Sequence, residues 1–117
     1  DDNMEKTMDK TLAYSVLVTW LDCKDNPQRE RWCYEKMLSL LLRDERETIN
    51  FIRVQKDHKY LDLLAELLPE LAYQFNSHLF VRQMENLEEF HDSEIWRQNV
   101  AAAAERVKAP AVNEMDF

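Results

Sequence analysis

Apolar residues recur along this chain at three- and four-residue intervals and never sustain a two-residue alternation, the pattern of helices rather than strands. Met4, Met8, Leu12 and Val16 open the first stripe, and Ala13, Leu17, Trp20 and Leu21 widen it, predicting a helix from about Met4 to Cys23. Asp25-Asn26-Pro27 ends it, because Asn26 suits an N-cap and Pro27 the first helical position. The next stripe holds Cys33, Met37, Leu40 and Leu41, with Tyr34, Leu38 and Leu42 beside them and Trp32 off the stripe. From Arg43 to Glu47 the pattern is polar, and both a short turn and a continuous helix stay open, although Asp44 with Glu47 resembles a capping signal.

Ile49, Phe51, Ile52 and Val54 mark a short third helix. A fourth begins near Asp57 and carries Tyr60, Leu61, Leu64, Leu67 and Leu68 up to Pro69, which kinks it or starts a new one. Leu71, Phe75, Leu79 and Val81 to Leu87 continue the helical reading to about Phe90. Asp92 or Ser93 then caps a last helix through Trp96, Val100, Ala103 and Val107. The expected architecture is all-α: a compact bundle of four to six helices with no sheet, one domain over residues 1–109 and a flexible tail over 110–117.

Composition sharpens this picture. The 117 residues include no glycine and three prolines. Glycine serves tight turns and close backbone approach to phosphates, so the phosphate-cradling loops and dinucleotide fingerprints are excluded. No run of eighteen apolar residues exists, which argues against a membrane span. The net charge is −8, and residues 59–117 hold eleven acids against five bases. That balance disfavours nucleic acid, and it reads first as a solvated acidic face that confers solubility and second as a surface that meets a basic protein partner.

The chain begins at Asp1, as either a processed or a trimmed sequence would. Cys23 and Cys33 lie ten apart across the first helical turn, a disulfide candidate in an oxidising compartment and two small apolar side chains in a reducing one. A secreted or periplasmic location is favoured over the cytoplasm.

The strongest catalytic candidate is Arg53-Val-Gln-Lys-Asp-His58-Lys-Tyr60. On a helix start, His58 would act as general acid or base and Arg53 would stabilise developing charge beside Tyr60. These eight residues resemble the R-x4-H-x-Y signature of HEPN ribonucleases, compact all-α domains that are often dimeric. The resemblance implies RNA cleavage by Arg53, His58 and Tyr60. Val54 stands where a polar residue usually follows the arginine, and the motif lies mid-chain. The competing reading is surface pairing of His58 with Asp57 or Asp62.

Glu88 and His91 show the E-x-x-H spacing of di-iron bundles, but neither His58 nor His78 has a glutamate three residues before it. No metal or cofactor is therefore expected. Ser15, Ser39, Ser77 and Ser93 sit in helical or capping contexts.

Surface candidates remain. Trp32 with Arg29 has the composition of an interface anchor, which Phe51 and Phe80 could join, and Glu85, Glu88, Glu89 and Asp92 form an acidic stretch. The favoured function is a non-enzymatic protein-binding module: a small acidic inhibitor, immunity protein or adaptor recognising a larger protein. The alternatives are the HEPN-like ribonuclease and a structural or assembly subunit that self-associates through Trp32. A helix face would also serve a homodimer.

Overall fold

Side-chain oxygens set most of the helix starts. The computed structural model describes residues 8–109, which form seven α-helices and no strand. These are α1 (Lys10–Asp22), α2 (Pro27–Leu41), α3 (Glu45–Arg53), α4 (His58–Ala65), α5 (Leu68–Phe75), α6 (His78–Asn86) and α7 (Glu94–Arg106), with a 3-10 turn at Leu87–Glu89 before the last. Asp9, Asn26, Asp44, Asp57, Ser77 and Ser93 each accept a backbone N–H from the first turn they precede, at 2.9 to 3.2 Å. Each such cap contributes about 1 kcal/mol by satisfying a donor the helix cannot.

The count of seven exceeds the expected four to six because of a break at Asn76, and the polar stretch after α2 is also resolved. Leu42 to Asp44 form a short turn rather than helix, since Asp44 caps α3 through the Glu47 N–H at 2.9 Å. The helix expected from Pro69 to Phe90 is broken at Asn76, which takes a left-handed conformation with φ 51°. Asparagine tolerates that region better than other residues with a Cβ. The start of α1 is also later than expected, because Asp9 caps it; Met4 and the expected tail 110–117 lie outside the described residues.

Pro69 starts a helix instead of kinking one. The turn before it closes with the Leu67 N–H on Leu64 O at 2.9 Å, and Pro69 occupies the first turn of α5, where its missing donor is harmless.

One core joins the helices. Trp20, Trp96, Phe80, Leu17, Met37 and Leu64 are fully enclosed within it. α7 lies mainly against α5 and also touches α4 and α6, while α1 pairs with α2 and α4 and α3 reaches α6. Trp96 donates its indole N–H to Met84 O at 3.0 Å, so its large apolar body is buried without a stranded donor. Thr48 is wholly buried and donates to Leu41 O, answering a carbonyl at the end of α2. Asn76 also closes the fold: its Oδ1 accepts the Lys108 and Ala109 N–H groups at 2.7 and 3.0 Å, and His78 Nε2 lies 2.7 Å from Ala109 O. No helix among the described residues is long and apolar enough to cross a membrane.

Candidate functional site

The chemistry gathers where the start of α4 meets the segment between α6 and α7. After Asn86 the chain tightens into the 3-10 turn, and both the Phe90 and His91 N–H groups return to Leu87 O, at 3.1 and 2.8 Å. This curl sends neighbouring side chains in opposite directions. Phe90 is 52% exposed, whereas His91 is 3% exposed.

His91 is held from three sides. Its Nε2 lies 2.7 Å from Asp62 Oδ1, its ring meets Trp96 edge-on at 5.8 Å, and its Nδ1 faces His58 Nδ1. A carboxylate only accepts, so Nε2 carries the proton; on a neutral ring Nδ1 then accepts, and His58 donates to it. Ser93 adds its hydroxyl to the same Asp62 oxygen at 2.8 Å while capping α7. The direction of donation therefore runs from His58 through His91 to Asp62.

His58 makes two ring contacts. Phe90 stacks on it with centroids 5.0 Å apart and planes 18° apart, and His91 lies at 4.6 Å with planes 30° apart. The stack fixes an exposed Phe90 on a partly buried polar network, at the centre of a run of acids. Within it Asp92 and Glu94 share Arg97, at 2.6 and 3.0 Å. The Arg97 hydrogen bond, helped by Gln98, holds the Glu94 carboxyl below its ordinary range. Glu85, Glu88 and Glu89 have no basic partner among the described residues, so this corner keeps its negative charge.

The three residues of the ribonuclease-like motif have separate surroundings. His58 belongs to the stack just described, and Tyr60 leans on the core. Arg53 lines a groove between α3 and α6 with Ile49 and Leu79. No hydrogen bond, ion pair or ring contact joins any two of them. Asp62, weighed as a partner for His58, binds His91 instead. Glu88 does not reach His91, and no group of three or more metal-ligating side chains is found among the described residues.

The interface candidates divide too. Trp32 is 56% exposed and Arg29 is exposed beside it on α2. Phe51 is not available to a partner: it is 2% exposed and meets Tyr14 edge-on at 5.4 Å, which places it between α1 and α3. Phe80 is likewise fully buried, packed edge-on against Phe75.

Cys23 and Cys33 are free thiols whose sulfurs lie 3.8 Å apart in the core, level with each other across the α1–α2 turn. Burial, with the neighbouring Cys23 second, pushes the Cys33 thiol from its ordinary 9.0 up to about 11.

Sequence reasoning missed the His58–His91 pairing, since 33 residues separate the two and neither stands in a motif with the other. Comparison with family models, with curated proteins and with solved structures finds no match to this chain.

Proposed function

We propose that this chain is a non-enzymatic protein-binding module, of the kind that serves as a small acidic inhibitor, immunity protein or adaptor, and that it offers the Glu85–Glu94 corner to a basic protein. The observation that carries this reading is Phe90. A half-exposed aromatic normally costs ordering entropy when it docks, but the His58 stack at 5.0 Å has already fixed this ring. A rigid aromatic anchor within a rim of like charge is the composition of a binding hot spot. The unpaired acids supply the selectivity, because complementary potential speeds encounter with a basic partner and repels an acidic one.

The test is affinity capture from the native source with the wild-type chain, with F90A and with an E85K/E89K variant. The expected result is a protein of net positive charge, retained by wild type, released as salt rises and lost from both variants. Charges in such an interface are screened over about 10 Å at 0.1 M salt, which makes the salt release diagnostic. Equal capture by all three proteins, or no basic protein on the wild type, refutes the reading. A direct assay on single-stranded RNA is the companion experiment. Turnover abolished by H58A would replace the binding function with the enzymatic one.

A further inference from the structure

A second surface has the opposite charge. The groove between α3 and α6 encloses about 330 Å³. Arg46, Ile49, Asn50 and Arg53 line one wall at i, i+3, i+4 and i+7, so they share one face of α3. Leu79 and Gln83, four apart on α6, form the other. Ile49 is nearly buried and makes an apolar floor, while Leu79 is 53% exposed and uncovered.

The two arginines lack a carboxylate partner among the described residues, as Arg29 and Arg82 also do, and Arg46 and Arg53 share one groove. Acids outnumber bases by 23 to 15 in this chain, and Arg31, Arg97 and Arg106 all hold carboxylates. Arg46 and Arg53 hold none among the described residues. The single acid of the groove, Glu45, is already engaged by the Ser77 hydroxyl at 2.5 Å. Two cations against one acid thus leave this apolar trough net positive, on a molecule whose net charge is −8.

We propose that this groove receives an amphipathic helix of a partner protein, one with two carboxylates seven residues apart around an apolar anchor. Seven residues along α3 span about 10.5 Å. A helix laid alongside presents acids at the same spacing, one to each guanidinium, and its third or fourth position between them falls on Ile49 and Leu79. This is the helix-in-groove mode of recognition, with charge fixing the register. A small anion would satisfy one arginine and leave Leu79 in water, so the trough favours the helix. The acids of the Glu85–Glu94 corner repel such a partner, which disfavours docking there. The surface is distinct from the Phe90 corner and selects the opposite charge.

Fluorescence anisotropy tests it with a labelled, end-capped synthetic helix of about four turns, carrying glutamates seven positions apart that flank two leucines. The expected result is saturable binding to the full chain, weakened about tenfold or more by R46E/R53E and by L79D, a loss of about 1.4 kcal/mol or more. E85K/E89K leaves it unchanged, which separates this site from the Phe90 corner. Circular dichroism confirms that the variants keep their helices; should R46E/R53E unfold, the single substitution R53Q takes its place. Four outcomes overturn the proposal. One is no saturable binding; another is equal binding of a peptide with lysines in place of the glutamates. The third is binding of phosphate or acetate alone that accounts for the arginine dependence without the leucines. The last is a dimer of the chain, broken by R46E/R53E, which would make a second copy the occupant.

Discussion

The sulfurs of Cys23 and Cys33 stand 3.8 Å apart, both buried where α1 turns into α2. A small inward shift brings them to bonding distance, since a disulfide needs about 2.05 Å. Mild oxidation is therefore expected to give an intramolecular bridge, seen as a loss of two hydrogens by mass analysis. Closing so short a loop stabilises by about 2–3 kcal/mol in the chain-entropy account. A rise in the urea midpoint on oxidation checks this, with C23S as the control that cannot bridge.

The same burial has an alkaline consequence. Cys33 in the folded chain titrates at about 11 rather than 9.0. Between those values the unfolded chain releases its proton while the folded one keeps it, so stability falls as pH rises through this window and is fully retained below it. Tyr34, whose hydroxyl burial also pushes up, adds a loss of the same sign above 10.0. Urea midpoints measured below 9 and near 11 are expected to converge more closely in C33A than in wild type.

Thr48 ties α3 to the end of α2 through the Leu41 carbonyl. Thr48→Val keeps the shape but strands that acceptor in the core, at a cost of about 1–3 kcal/mol. Thr48→Ser keeps the hydroxyl and is expected to cost less. Denaturant unfolding of the two variants separates the hydrogen bond from the methyl group.

Asn76 combines a left-handed backbone with two side-chain hydrogen bonds to residues 108 and 109. Three substitutions divide these contributions. N76A loses both and is expected to destabilise by about 2–3 kcal/mol. N76G relaxes the backbone and loses only the bonds, about 1 kcal/mol. N76D retains an acceptor and is expected to lie closest to wild type.

Asp62 sets the tautomer of His91. Ring nitrogen NMR is expected to find His91 protonated at Nε2 in wild type and to lose that preference in D62A. If the spectrum of D62A is unchanged, Asp62 does not orient the ring.

The legibility of the fold tracks the range of the interaction that decides it. Starts at Asn26 and Asp57 were readable, and Asp44 and Ser93 were among the candidate caps, because a capping side chain acts within its own first turn. The break at Asn76 was not. Leu71, Phe75 and Leu79 keep four-residue spacing straight through it, and one continuous helix fits that spacing. The left-handed residue rotates the frame, leaving Leu79 outside and Phe80 and Val81 inside. Phe51 was misread for a related reason. It sits off the Ile49–Ile52 stripe, yet α1 covers it through Tyr14, a contact local periodicity does not encode. The His58–His91–Asp62 network lies further beyond reach, since it depends on how α4 meets the turn before α7.

The clasp at Asn76 also governs how force enters the molecule. Tension applied at Ala109 arrives first at Asn76 and His78, in the α5–α6 junction, rather than peeling α7 from its free end. Two hydrogen bonds to the Asn76 side chain and a histidine contact share that load in parallel before α7 bears any of it. A cargo or surface attached beyond residue 109 would consequently pull on the middle of the chain, and α7 would unravel only after the junction gives way.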